Sequence, residues 1–318
     1  MRSGWIALFA LMWAGTVLAA GDYTAFEPQA GGGTLHYYVT PGVKAPRAAL
    51  IVLHGHPRDA ENTFDAATEA VANAGESADT VVVAPQFQVS ARSADKCTGQ
   101  GVPDAEPGDL LWTCRSWVEG EPARNGAGVN SYAALDALVH RLHEQWPSLH
   151  EVTVAGFSAG GQMVQHYIGY AAIEPGVKLR YVVGSPGSYL YFDPQRPDPV
   201  ASCADANQWR YGTDNAPAWL TRSPADARAH YAGADVHYLV GALDSSTAKG
   251  TFYPILDKSC GAMSQGEFRL QRAQGFVEYA RKRLVNGHQS ELVVVPDCAH
   301  DVRCVFPAPA ARQALLGR

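Results

Sequence analysis

A serine at position 158 stands in Gly-Phe-Ser-Ala-Gly-Gly (156–161), framed by glycines two residues to either side. An apolar β-branched run, "EVTVAGF", precedes it, and residues at helical spacing, "GQMVQHY", follow it. A strand that turns sharply into a helix needs small neighbours because its backbone segments come close together, and the turn exposes the serine hydroxyl. Such a hydroxyl attacks a carbonyl only if a base takes its proton and a third group orients that base.

Eleven histidines are available. His300, in "VVVPDCAHD", follows the last apolar run and comes after the serine in the chain, which makes it the candidate base. His140, His143 and His150 belong to or border a helical stretch and are expected in solvent, and His166 is expected two turns past the serine, pointing away from it. His36, His230, His237 and His288 have no motif around them. For the orienting acid, Asp244 ends the run "VHYLVGALD", and in a parallel sheet the carboxyl ends of strands are where functional groups converge. Asp193 and Asp257 are the fallbacks, because Asp297 and Asp301 are too near His300 in sequence to hold its ring. A developing oxyanion needs two N–H donors. The residue after the serine, Ala159, opens a helix and supplies one; the turn "LHGH" (53–56) supplies the other from His56.

These residues need a scaffold, and the apolar runs outline it. Residues 48–55, 80–86, 151–158, 179–186, 236–244 and 291–296 are short, β-branched and unbroken, as strands buried on both faces are. Between them, 130–147 places Leu135, Leu138, Val139 and Leu142 on one helical stripe, with Asn130 or Ser131 to cap it and Pro147 to stop it. Residues 266–284 read as a second helix. The alternation predicts an α/β fold: a mostly parallel central sheet flanked by helices on both faces. Two stretches fall outside this pattern, 90–122 and 185–224, and both carry cysteines that would staple them as lid-like insertions. In the second, Tyr189, Tyr191, Trp209, Tyr211 and Trp219 are candidates for an aromatic substrate pocket; the alternative is that they form the insertion's own small core.

In this order, "LHGH", "GFSAGGQM", "GALD" and "CAHD" resemble the α/β-hydrolase family from about Leu50 to Val302. The His-Gly turn with Gly-Phe-Ser-Ala-Gly-Gly looks most like secreted esterases related to polyhydroxybutyrate depolymerases and feruloyl esterases. The resemblance implies Ser158 as nucleophile, Asp244 as orienting acid, His300 as base, and His56 and Ala159 as oxyanion donors, the set already reached from the residues.

Composition sets the remaining bounds. The 318 residues are 47% hydrophobic, enough for one large domain, expected over 21–318. A net charge of −6 without a block of like charges excludes a nucleic-acid surface. Residues 1–20 have a lone Arg2, an apolar run from Trp5 to Leu18 and small residues at the end, the pattern of a cleaved signal peptide. The run is short of the roughly 20 residues that span a bilayer, so no membrane attachment is expected after cleavage. A secreted or periplasmic location favours disulfides among the six cysteines. Nearest neighbours suggest Cys97–Cys114, Cys203–Cys260 and Cys298–Cys304. No cysteine or histidine spacing suits zinc, and no metal or cofactor is expected. The expected activity is hydrolysis of a small-molecule or polymeric ester. The alternatives are a peptidase or amidase using the same triad, and a non-catalytic binding protein that kept the fold.

Overall fold

The computed structural model describes residues 20–125, 128–199, 203–284 and 291–318. The leader expected over 1–20, apart from Ala20, and His288 lie outside the described residues. Six strands match the apolar runs: β3 (Ala48–Leu53), β4 (Thr80–Gln86), β5 (Glu151–Phe157), β6 (Lys178–Gly184), β7 (Asp235–Gly241) and β8 (Leu292–Val295). Two more, β1 (Asp22–Phe26) and β2 (Leu35–Val39), add an antiparallel pair at one edge. The sheet order is β1-β2-β4-β3-β5-β6-β7-β8, antiparallel as far as the β2–β4 pairing and parallel from β4 to β8.

The unbroken apolar runs have a simple cause. Successive side chains of a strand point to opposite faces, and here both faces are covered. Ala49, Ile51 and Leu53 of β3 enter one core with Val81 and Val83 of β4, whereas Leu50 and Val52 enter the other with Val82 and Ala84.

Helix α1 (Ala60–Asn73) and the C-terminal segment around Phe306 and Leu315 cover the second face. The first is covered by α2 (Ser131–Gln145), α3 (Ala159–Tyr167), α4 (Pro224–Gly233) and α5 (Arg269–Arg283). The predicted stripe of α2 is buried, with Leu135, Leu138 and Leu142 fully enclosed. Its start is fixed by Asn130, whose side-chain oxygen accepts the Ala133 N–H at 2.7 Å.

All three disulfides join the expected neighbours: Cys97 to Cys114, Cys203 to Cys260 and Cys298 to Cys304. The first closes on itself an insertion whose only regular pieces are the helical turn Ala91–Ala94 and a two-residue pairing of Gln88–Val89 with Leu111–Trp112. The second ties the 185–224 segment to the loop after β7. Among the described residues no helix is long and apolar enough to cross a membrane.

Candidate active site

Ser158 links the end of β5 to the start of α3 in a left-handed conformation, φ 58° and ψ −119°. Few non-glycine residues tolerate such a backbone, which costs on the order of 1–3 kcal/mol. The surroundings enforce it. Ser158 N–H donates to the Gly184 carbonyl at the end of β6 (2.9 Å), and its own carbonyl accepts the Gln162 N–H (3.0 Å). The flanking glycines have definite reasons: a Cβ on Gly156 would run into the backbone of Gly160, and one on Gly160 into the carbonyls of Leu53 and His54.

Three side chains from three strand ends meet here. His300 Nε2 lies 2.8 Å from Ser158 Oγ, and His300 Nδ1 lies 2.7 Å from Asp244 Oδ2. Asp244 is 2% exposed and His300 7%. The carboxylate accepts from Nδ1–H, which leaves the Nε2 lone pair free to take the serine proton. His300 is held by its N–H bond to Gly250 O (3.1 Å), by Phe157 against its ring and by the adjacent Cys298–Cys304 bridge. Burial pushes the imidazole below its ordinary value of 6.5; nearby Arg269 adds to this, and Asp244 opposes it. Neither fallback acid pairs with His300: Asp193 pairs with Arg283, and Asp257, in the wall of the cavity over Ser158, with Arg210.

A cavity of about 390 Å³ opens over Ser158, and His56 and Ala159 line it. As the first residue of α3, Ala159 has no intrahelical acceptor for its N–H. The His56 turn closes with Arg58 N–H on Gly55 O at 3.1 Å, and a Cβ on Gly55 would sit 3.6 Å from Ser158 Cβ. The turn therefore packs against the serine.

The five aromatic residues are not at this cavity, which corrects the pocket expected from sequence. Tyr189 and Tyr191 are completely buried, with ring centroids 4.6 and 5.0 Å from Phe276 of α5. Trp209 covers His166 and Tyr170, and Tyr211 donates its hydroxyl to Asp257 at 2.6 Å. Trp219, half-buried, is also absent from the cavity wall. A long insertion without regular structure must bury apolar surface of its own, and these rings supply it.

The cavity instead mixes charged and polar side chains with the aliphatic Val118, Ile255 and Leu256. Its wall includes Arg115 and Glu119 from the first insertion, Gln162 from α3, Arg210 from the second insertion, Asp257, and Arg269 at the start of α5. Sequence reasoning missed Arg269. It is 5% exposed, lies 3.4 Å from Asp244 Oδ1 and donates to Thr251 O at 2.6 Å. No motif marks it, because it reaches the site from α5 through the chain crossing.

Two other histidines near the site are buried. His54, in the turn before His56, is fully buried: its Nε2 accepts the Phe87 N–H at 3.1 Å, so Nδ1 carries the proton and donates to Gly55 O at 2.9 Å. Desolvation pushes it down to about 3, so it stays neutral and acts as a clip between β3 and the end of β4. His166 is also buried and pushed down to about 3, by desolvation and then by Arg210.

An antiparallel strand pair followed by a parallel sheet in this order, with the serine turn after the fifth strand and the acid and histidine after the seventh and eighth, decides the architecture. The chain has the α/β-hydrolase fold. Solved α/β-hydrolase structures align over nearly its whole length. Poly(aspartic acid) hydrolase-1 from Sphingomonas sp. KT-1 is 20% identical, with a TM-score of 0.64 over 93% of this chain and 98% of that one. LpqC, a poly(3-hydroxybutyrate) depolymerase from Bordetella parapertussis, is 17% identical, with a TM-score of 0.64 over 94% and 91%. No family model matches the chain, and no curated protein matches it by sequence. Among the described residues of this α/β-hydrolase fold, no group of three or more His, Cys, Asp or Glu side chains is placed to hold a metal.

Proposed function

We propose that the chain is an exported serine hydrolase that cleaves carboxylic esters through an acyl-enzyme on Ser158. The observation that carries this reading is the continuous hydrogen-bonded series Ser158–His300–Asp244 at the floor of a cavity. A protein that only bound ligands would have no need to hold a serine in strained backbone against a buried, oriented imidazole.

In this mechanism His300 Nε2 takes the Ser158 Oγ proton as the oxygen attacks the ester carbonyl. The N–H groups of Ala159 and His56 receive the developing oxyanion. Asp244 stays ionised and steadies the imidazolium. Nε2–H then protonates the departing alkoxide. A water molecule, deprotonated by the same nitrogen, attacks the acyl-serine; collapse of the second tetrahedral intermediate releases the acid and returns the proton to Oγ. The lowered pKa of His300 keeps the base neutral at pH 7. Export is supported by the leader pattern and by the three disulfides, which persist in oxidising compartments.

One comparison favours a second reading. Poly(aspartic acid) is a polyamide and poly(3-hydroxybutyrate) a polyester, so the two similar structures carry names on both sides of the ester–amide divide. The deciding experiment is hydrolysis of p-nitrophenyl esters, acetate through decanoate with a ferulate ester, beside a panel of fluorogenic peptides, by the mature protein and Ser158→Ala. Ester turnover that falls at least about 1,000-fold in the variant is expected. Turnover of the peptides alone moves the assignment to an amidase, and equal behaviour of the two proteins sinks the triad.

A further inference from the structure

The charges around the cavity are unevenly matched. Both carboxylates on its wall are engaged by one guanidinium: Glu119 and Asp257 accept from Arg210 at 2.8 and 2.5 Å. Arg269 is committed to Asp244 and to the Thr251 carbonyl. His56 is kept toward its neutral form by burial, with Arg115 and Arg58 adding to the effect. Among the described residues, the side chain of Arg115 has no hydrogen-bond or ion-pair partner, although it lines the cavity with Ser158.

Its main chain, by contrast, is firmly held. Thr113 N–H donates to Ser116 Oγ at 2.8 Å and Ser116 N–H to Thr113 Oγ1 at 3.0 Å, closing a tight turn around Arg115. Cys114 on one side is bonded to Cys97, and Ser116 and Trp117 on the other are buried. Arg210 serves two carboxylates, so the charges of the wall balance overall; what sets Arg115 apart is a guanidinium fixed at its base, free at its tip and without a direct partner among the described residues, whose N–H groups are open to an incoming anion.

We propose that Arg115 is a specificity-determining residue that selects substrates bearing a carboxylate beyond the scissile carbonyl. This rests on the hydrolase reading and adds the substrate class to it: an acyl chain that ends in an acid, as in the hemi-ester of a dicarboxylic acid or the acidic chain end of a polymer. A neutral chain gains nothing from the guanidinium, whereas a carboxylate can accept two parallel N–H bonds from it.

The test compares kcat/KM for mono-p-nitrophenyl adipate, pimelate and suberate with that for the same esters capped as methyl esters. In the wild-type protein the charged member of at least one pair is preferred by about 3- to 10-fold, the size of a partly solvated ion pair. The ratio falls to about one in Arg115→Ala, is partly kept in Arg115→Lys and drops below one in Arg115→Glu. Because the ratio is read within each protein, a general loss of activity cancels. A wild-type ratio of one, or a preference that survives in Arg115→Ala, overturns the proposal and leaves ester hydrolysis standing. If no ester is cleaved, the hydrolase reading fails by itself, and calorimetric binding of adipate to Ser158→Ala then decides the role of Arg115. Binding abolished by adding Arg115→Ala upholds it; absent or unchanged binding overturns it.

Discussion

Asp244 meets a neutral imidazole and a guanidinium with its two oxygens: Oδ2 accepts from His300 Nδ1 at 2.7 Å, and Oδ1 meets Arg269 Nη1 at 3.4 Å. A carboxylate only 2% exposed is costly to keep ionised without such company. Arg269 thus stabilises the charge of the acid while disfavouring a second positive charge on His300.

Replacing this arginine gives a signed prediction. The active form has neutral His300, so kcat/KM falls as pH drops through the apparent pKa of that group, which lies below the ordinary 6.5. Arg269→Gln removes one cause of the lowering. The acidic limb of the pH–rate profile therefore moves to higher pH, and activity near pH 6 falls more than activity near pH 8. A limb that stays in place, whatever the loss in rate, would show that the arginine acts only in packing.

The backbone of Ser158 provides a second prediction. At φ 58° an alanine keeps the Cβ that makes this conformation costly, whereas glycine does not. Ser158→Gly should accordingly be about 0.5–1 kcal/mol more stable to urea than Ser158→Ala, after allowing for the greater freedom of glycine in the unfolded chain. Both variants should be inactive. Equal stabilities would mean that the turn is not strained.

Buried neutral histidines predict a sharp loss of stability in acid. His54 and His166 bind protons in the unfolded chain below about 6.5 but not in the folded one until about 3. Their stabilising contribution is complete above 6.5 and is lost as pH falls through this window. Two such groups give a limiting slope of about 2.7 kcal/mol per pH unit. His166→Phe removes one titrating group together with two ring nitrogens that have no partner among the described residues. Urea unfolding between pH 7 and 4.5 should show the slope shrink by about one proton, with little change at pH 7. An unaltered slope would mean that His166 is protonated in the folded state.

The sequence by itself determined whatever local chemistry dictates. Alternate residues of β3 and β4 must enter two cores, so their runs are apolar throughout and read directly as buried strands. The glycines around Ser158 are demanded by backbone contacts within a few residues or at the neighbouring strand, and their spacing is visible as a motif. The order of serine, acid and histidine is likewise a property of the chain, whereas six cysteines permit fifteen pairings and the folded chain selects the nearest-neighbour set. Strands β1 and β2 escaped notice because β1 is largely exposed and neither carries an unbroken apolar run.

What only the tertiary structure decided are the relations among residues far apart in the chain. Arg269 meets Asp244 because α5 begins beside the carboxyl end of β7. Tyr189 and Tyr191 were candidates for a pocket until the packing of Phe276 against them made them core. Burial has the same origin: His54 and Arg115 are both ordinary polar residues in sequence, yet one is enclosed as a neutral clip and the other left at the cavity without a direct partner among the described residues. Burial and charge pairing depend on which distant segments arrive at the same place, and that is settled by the packing of the whole chain rather than by the pattern along it.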